Sequence, residues 1–166
     1  DNVTGIEMSG FDKFVTTIKK GDGNSYTANT ETFDVKGGKD DKSFDGVNTA
    51  VVISCDRAGN CTKPSAPAEM WIDRTAPTCK TTGGSTKWIG INSPDPVIKG
   101  TCNDAGGARA SGCAQAEISY TFKVAVGKNL VTSTAGPGPN GGKGVVKDKA
   151  GNTADCAANQ TLKIDH

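Results

Sequence analysis

The chain has 166 residues, with 34% hydrophobic and 5% aromatic residues and 22 glycines. This low apolar content excludes a single thick core and favours thin β-structure with many turns, in one large or two small domains. The formal net charge of +1 predicts no nucleic-acid partner, because phosphate backbones attract clustered positive charge. No apolar run approaches the roughly 18 residues that a membrane span requires, so we predict no membrane insertion by this chain.

The first predicted elements are a tight turn and two strands. Gly21–Ser25 is interpreted as a hairpin turn rather than a calcium loop, because the spacing of its oxygen-bearing residues is incomplete. Strands are predicted at Ala50–Ser54 and Ala68–Ile72. In the second strand, alternation places Trp71 on the face opposite Met70, which makes Trp71 a candidate contact residue.

The second half of the chain continues with strands and one long loop. Val97–Cys102 is predicted as a short strand, and Glu117–Val126 as a longer one from its apolar–polar alternation. Residues 135–144 are predicted to be a loop, since glycine and proline interrupt regular structure. A last strand holds Leu162 and Ile164 on one face. No helix is predicted.

A pentapeptide, D-x-A-G-N, occurs twice, at Asp56–Asn60 and Asp148–Asn152, roughly 90 positions apart. The same ungapped offset aligns Met70 with Leu162 and other apolar residues on either side. A period near 90 exceeds those of solenoid repeats and suits a small β-sandwich of about 100 residues. We therefore predict two copies of one domain, at 1–74 and 75–166.

Each copy of the pentapeptide is predicted to form the bend of a β-hairpin. Its glycine supplies a positive φ, its asparagine tolerates such a backbone, and its aspartate accepts hydrogen bonds from N–H groups of the bend. One carboxylate and one amide provide fewer than the 6–8 oxygens that calcium takes, so no metal is predicted. The motif residues are Asp56, Gly59, Asn60, Asp148, Gly151 and Asn152.

The six cysteines are predicted to form disulfides. They contain no C-x-x-C, and the only histidine is the terminal His166, which disfavours a zinc site. An even count in core-poor units instead indicates disulfides and an oxidising compartment outside the cytosol. Locality favours the pairs Cys55–Cys61 and Cys102–Cys113, which leaves Cys79–Cys156. The other pairings of the last four cysteines stay open from sequence alone.

The first copy is predicted to be atypical. Thr4-Gly5-Ile6 is interpreted as the counterpart of Ser111-Gly112-Cys113, so the strands that open the second domain have no counterpart in the first. The first domain is then either N-terminally incomplete or a shortened variant with a longer middle at 19–45. A sandwich without its first strands has open edges, which invite pairing with another chain.

D-x-A-G-N, followed about a dozen residues later by the hinge Ile72-Asp73-Arg74-Thr75-Ala76-Pro77-Thr78, resembles the bacterial Ig-like repeats of secreted and cell-surface proteins. The similarity covers most of residues 44–166. It implies an all-β fold of two tandem Ig-like β-sandwich domains, the first atypical or N-terminally incomplete. The family brings no catalytic or binding residues, and its modules serve as stalks, adhesin arms and spacers.

No catalytic site is predicted. With His166 as the only histidine and the cysteines oxidised, Ser/His or Cys/His nucleophilic catalysis lacks its base. Nothing marks a carboxylate pair for glycoside hydrolysis. We therefore predict that the protein is not an enzyme and has no cofactor.

The leading hypothesis is a non-catalytic tandem module of a bacterial surface protein, extracellular or secreted, that acts as a stalk or adhesive arm. One alternative is a module that binds a carbohydrate or host protein through the loops at 19–45 and 134–144. The other is an accessory domain of a secreted enzyme. The sequence identifies neither the protein or glycan ligand nor the oligomeric state.

Overall fold

The computed structural model describes residues 10–29 and 42–166, and these residues form an almost entirely β-sheet protein. The chain divides into two compact units, unit 1 at Asp1–Arg74 and unit 2 at Thr75–His166. The prediction of an all-β fold is confirmed, because the described residues contain twelve strands, two short 3-10 turns and no α-helix. The 3-10 turns lie at Gly107–Arg109 and Pro139–Gly141.

The described part of unit 1 contains one antiparallel sheet. Its strands are β1 (Phe11–Lys19), β2 (Ser25–Ala28), β3 (Gly46–Asp56) and β4 (Ala68–Ile72), in the order β2-β1-β3-β4. The strand predicted at Ala50–Ser54 is thus the middle of the longer β3, and the strand predicted at Ala68–Ile72 is β4. The hairpin turn predicted at Gly21–Ser25 is present between β1 and β2, where the Gly23 amide donates to the Lys20 carbonyl at 2.9 Å.

The interior formed by the described residues of unit 1 is small and partly polar. Ile18 and Phe44 provide buried apolar side chains, and Asn48 is also buried. Oδ1 of the Asn48 side chain accepts a hydrogen bond from the Gly21 amide at 3.0 Å, and Nδ2 donates to the Phe44 carbonyl at 2.8 Å. A buried amide with partners on both sides ties the β1–β2 turn to the start of β3.

Unit 2 is sandwich-like, with two three-stranded sheets and a separate hairpin. Its strands in chain order are β5 (Thr78–Thr82), β6 (Ile89–Gly90), β7 (Val97–Asn103), β8 (Glu117–Thr121), β9 (Leu130–Ala135), β10 (Gly144–Lys147), β11 (Thr153–Cys156) and β12 (Gln160–Asp165). One sheet has the order β5-β7-β8 and the other β6-β12-β9, and the hairpin pairs β10 with β11. All pairs are antiparallel except β6 with β12.

Both sheets of unit 2 contribute to its main core. Ile98 of β7 packs with Leu162 and Ile164 of β12, and Phe122 and Ala135 complete the cluster. Leu162 and Ile164 face inward as their alternation predicts. A second cluster is built around cysteines rather than large aliphatic residues, because Cys102 and Cys156 surround Val146 there.

The strand predicted at Glu117–Val126 is shorter in the structure, where β8 ends at Thr121. The alternation continues one step further, since Phe122 is buried and its amide donates to the Pro96 carbonyl at 2.9 Å. Gly127, with a φ of 80°, then turns the chain away from the sheet. The apolar pattern therefore extends beyond the residues that pair, and Val126 is exposed.

Candidate functional site

The bend of unit 2 joins β10 to β11 at Asp148–Asn152. It is closed by a hydrogen bond from the Asp148 amide to the Asn152 carbonyl at 3.0 Å, and Gly151 has a φ of 100°. Oδ1 of Asp148, a residue only 1% exposed, accepts from the Gly151 amide at 2.6 Å and the Asn152 amide at 2.8 Å. Its Oδ2 accepts from Asn152 Nδ2 at 2.7 Å. The buried carboxylate thus satisfies the N–H groups of the bend.

The bend of unit 1 repeats this geometry at Asp56–Asn60. The Asp56 amide donates to the Asn60 carbonyl at 2.9 Å, and Gly59 has a φ of 88°. The Asp56 carboxylate accepts from the Asn60 amide at 2.8 Å and from Nδ2 at 2.9 Å. These bonds are exposed to solvent, whereas those of Asp148 are partly buried. One pentapeptide therefore forms one bend in two environments.

A glycine carbonyl contacts each bend from a preceding segment. The Lys149 amide donates to the Gly112 carbonyl at 2.9 Å, and the Arg57 amide donates to the Gly10 carbonyl at 3.1 Å. Both glycines have positive φ, 81° at Gly112 and 68° at Gly10, a backbone region that favours glycine. We call this contact the clasp of the bend.

The residue that follows each clasp glycine pairs with the aspartate of the bend. Cys113 forms a backbone bridge with Asp148, and Phe11 pairs with Asp56. Thr4-Gly5-Ile6, predicted as the counterpart of Ser111-Gly112-Cys113, lies outside the described residues. Within them, Gly10 and Phe11 hold the positions toward the bend that Gly112 and Cys113 hold in unit 2.

All six cysteines are paired, as Cys55–Cys61, Cys79–Cys156 and Cys102–Cys113. These are the pairs that locality favours in the sequence. Cys55–Cys61 crosses the base of the unit 1 bend with a sequence separation of 6, whereas Cys79–Cys156 has a separation of 77. Three disulfides indicate that the chain folds in an oxidising environment.

The Cys79–Cys156 disulfide joins β5 to β11 and lies inside unit 2, where Cys156 is fully buried. Gly100 of β7 faces it. A Cβ at Gly100 would lie 2.7 Å from the sulfur of Cys156 and 3.0 Å from that of Cys79. Only glycine, which has no Cβ, allows β7 to pack this closely against the two sulfur atoms.

In the Gly- and Pro-rich segment predicted to be a loop at 135–144, residues 136–143 form a loop with a short 3-10 turn, whereas Ala135 ends β9 and Gly144 begins β10. Much of the segment is packed within unit 2. Residues 135–138 are all buried. Gly141 has a φ of 73°, and a Cβ there would lie 2.5 Å from the Phe122 ring. The exposed residues of this segment are Pro139, Asn140 and Lys143. The segment therefore exposes less surface than we expect of a loop that binds a ligand through residues 134–144.

A cleft of about 570 Å³ lies beside the unit 1 bend. Phe11, which is 55% exposed, lines this cleft, and its ring contacts that of Phe14 in a tilted arrangement with centroids 4.7 Å apart. Asp56, Asn60 and the neighbouring Cys55–Cys61 disulfide also line the cleft. An aromatic wall beside amide and carboxylate oxygens suits a small ligand with one apolar face.

The acidic groups of unit 2 include a close pair. Carboxylate oxygens of Asp104 and Asp148 lie within 4.8 Å of one another. Each also accepts backbone hydrogen bonds, and Asp104 Oδ2 receives the Gly112 amide at 2.7 Å. Asp148 Oδ1 is used in the same way by the bend, so both carboxylates hold backbone N–H groups of unit 2.

The hairpin turn between β1 and β2 holds one perturbed carboxylate. The backbone amide of Asn24, 2.9 Å from Asp22 Oδ1, holds the pKa of Asp22 below its usual value, and Lys20 acts in the same direction from 3.6 Å. Both groups stabilise the ionised carboxylate. This is the arrangement of a turn-capping aspartate rather than that of a catalytic acid.

Two tryptophans provide exposed aromatic surface, one in each unit. Trp71 of β4 is 72% exposed and Trp88 is 57% exposed. Met70, on the opposite face of β4, is also exposed at 40%, so exposure does not distinguish the two predicted faces of this strand. Neither lines the cleft beside the unit 1 bend.

The sequence reasoning missed the residues that act inside the units. Asn48 and Asp104 belong to no motif, and the clasp glycine Gly10 was not aligned with Gly112. A glycine precedes each bend, but Gly10 lies 46 positions before Asp56 and Gly112 lies 36 before Asp148, and this unequal spacing hides the correspondence.

The chain matches no protein-family model and no curated protein sequence. Within the residues that the structure describes, no helix has the length and apolar character needed to cross a membrane. The resemblance to bacterial Ig-like repeats therefore stays a prediction, and function has to be inferred from the chain's own geometry.

Proposed function

We propose that the chain is a non-catalytic extracellular module of a bacterial surface or secreted protein, in which it acts as a stalk or adhesive arm. The observation that supports this proposal is the use of disulfides where apolar packing is thin. Cys102 and Cys156 form most of the second core cluster of unit 2. A module stabilised in this way keeps its fold outside the cell, where disulfides persist and chaperones are scarce.

The two bends support the same role. The clasped D-x-A-G-N bend recurs in both units with matching hydrogen bonds, and its polar groups are used by the bend itself. Such a repeated, self-satisfied element contributes to folding rather than to chemistry. Repetition of a structural unit suits a protein whose role is to set distance.

A second candidate is a ligand-binding module, and the cleft beside the unit 1 bend is the observation that favours it. The exposed ring of Phe11 and the polar groups of Asp56 and Asn60 provide the mixed surface that carbohydrate or peptide recognition uses. The loop at 134–144 supports this candidate less, because much of it is buried.

Arrays of glycans and of host proteins separate the two candidates. The probes are the native chain, a Phe11→Ala variant, and a Trp71→Ala variant as a control that removes an exposed aromatic elsewhere in unit 1. A stalk gives no signal above that of an unrelated control protein. Reproducible binding that Phe11→Ala abolishes and Trp71→Ala leaves intact would establish the cleft as a binding site and overturn the pure stalk role.

A further inference from the structure

The Cys79–Cys156 disulfide lies close in sequence to both ends of unit 2. Cys79 follows Thr75, the first residue of the unit, by about four residues, and Cys156 precedes the terminal His166 by about ten. A pull on the two ends of the unit reaches Cys79 through a few residues at one end and Cys156 through β12 at the other. Between these two residues, the disulfide provides a covalent path much shorter than the 77-residue path through the backbone.

We propose that the Cys79–Cys156 disulfide is the tension-bearing link of unit 2 and shields the chain between these cysteines from force. This inference deepens the proposed stalk function and rests on it for its biological meaning. The mechanical property itself follows from the position of one covalent bond. Hydrogen-bonded strands separate under load, but the disulfide holds Cys79 and Cys156 at a fixed distance. The backbone between the two cysteines is therefore not stretched.

The shielded segment, between Cys79 and Cys156, contains most of the strands of unit 2. Strands β6 to β10 lie wholly between the two cysteines. The main core residues Ile98 and Phe122 belong to this segment. Tension applied to the ends of unit 2 therefore does not pass along the backbone of these strands, and it reaches the core only through Leu162 and Ile164 of β12.

The part of unit 2 outside the shield has little length to release. Its main element is β12, which is already an extended strand. Leu162 and Ile164 anchor β12 in the core with no exposed surface, and β12 pairs with both β9 and β6. Between Cys156 and His166, the 6 residues of β12 are therefore already extended.

The lengths differ enough to be measured. With the disulfide intact, roughly 14 residues of unit 2 are free to extend, which gives at most about 50 Å at ~3.5 Å per residue. Without it, about 80 residues extend, since Cys102–Cys113 still bypasses a separation of 11. The released length then rises to about 280 Å.

Unit 1 has no comparable shield among its described residues. Cys55–Cys61 bypasses a separation of only 6. Tension from β1 to β4 has to pass through β3, which pairs with both. Phe11 pairs with Asp56 at one end of β3 and Ile72 with Gly46 at the other. Hydrogen bonds, which break and release chain, carry the load there.

Single-molecule pulling on the full chain, with handles at Asp1 and His166, tests the proposal. The variants are Cys79→Ala/Cys156→Ala and, as a matched control, Cys102→Ala/Cys113→Ala. We expect the first to release about 230 Å more contour length than the native chain, a gain of roughly 66 residues. The control also loses one disulfide of unit 2, but its loop lies inside the shield, so we expect no change.

Equal contour lengths for the native chain and Cys79→Ala/Cys156→Ala would overturn the proposal, as would a longer release from the control. If the first variant does not fold, the native chain is held at constant force with a water-soluble phosphine. The phosphine attacks the disulfide and gives it two electrons, so the S–S bond breaks to two thiols, while water supplies the oxygen of the phosphine oxide and the two thiol protons. We expect one late step of about 230 Å, and its absence would overturn the proposal.

These results are separable from those for the stalk function. Ligand binding on the arrays would overturn the stalk role and leave the shielding intact. A native chain that releases the whole length of unit 2 would overturn the shielding and leave the stalk role standing.

Discussion

The two bends share the D-x-A-G-N pentapeptide and most of their hydrogen bonds, yet the two units stabilise them in different ways. In unit 1 a disulfide crosses the base of an exposed bend. In unit 2 the bend has no disulfide of its own; its aspartate is buried and bridges Cys113, which is tied to Cys102. A repeated local motif therefore fixes a turn, while the position of the cysteines determines what holds the surrounding unit together.

The largest expected effect comes from removing disulfides that close loops of different length, because the longer loop should give the larger stabilisation. On the chain-entropy model, Cys79→Ala/Cys156→Ala should lower the free energy of unfolding of unit 2 by about 4.5 kcal/mol. Cys55→Ala/Cys61→Ala should lower that of unit 1 by about 2 kcal/mol, because it closes a much shorter loop. Hydrogen exchange read by mass spectrometry in urea reports each unit separately. Equal losses in the two units would contradict the difference in loop length.

The second prediction compares an interior glycine of unit 2 with a surface glycine of unit 1. Gly141→Ala combines a left-handed backbone with a Cβ 2.5 Å from the Phe122 ring, whereas Gly59→Ala has the same kind of backbone and no heavy atom within 4 Å. We expect destabilisation of about 3 kcal/mol for Gly141→Ala and about 1 kcal/mol for Gly59→Ala. Thermal unfolding measures both. Similar shifts would mean that the Phe122 ring moves aside freely.

The third prediction concerns the two aspartates. Asp148→Ala leaves two amides of a partly buried bend without an acceptor, so we expect a loss of about 2 kcal/mol. In Asp56→Ala, water can replace the lost carboxylate as the acceptor for the exposed amides of the unit 1 bend. We therefore expect a loss of about 1 kcal/mol or less. Asp148→Asn keeps one oxygen acceptor and should fall between them. Urea unfolding measures these losses, and an Asp56→Ala loss as large as that of Asp148→Ala would show that burial does not distinguish the bends.

Periodic and repeated features of the sequence predicted most of the fold. Alternation identified the inward faces of Leu162 and Ile164, because a strand with one buried face leaves a period of two in the sequence. The pentapeptide located both bends, since the chemistry of its aspartate and glycine is local. The even cysteine count and short spacings favoured the three disulfides that the structure contains.

Features that depend on three-dimensional proximity were not predictable in the same way. Segment 135–144 has the composition of an exposed loop, but its glycines allow close packing, as at Gly141 against Phe122. Composition does not distinguish these two uses of glycine. Asn48 joins separate backbone segments through its amide, and a single buried polar residue leaves no periodic signal.

The smallest expected effect concerns the β1–β2 turn of unit 1, which relies on an exposed carboxylate where the unit 2 bend relies on a buried one. The pKa of Asp22 is lowered in the folded chain from its usual 3.8, chiefly by the Asn24 amide. Its contribution to stability is therefore fully present above pH 3.8 and is lost as the pH falls through the folded pKa. We expect the Asn24 amide resonance to shift and its hydrogen exchange to accelerate, relative to the expected pH dependence of exchange, in that acidic range. Asp22→Asn removes the titrating group, so an identical pH response in native chain and variant would show that the carboxylate does not hold the turn.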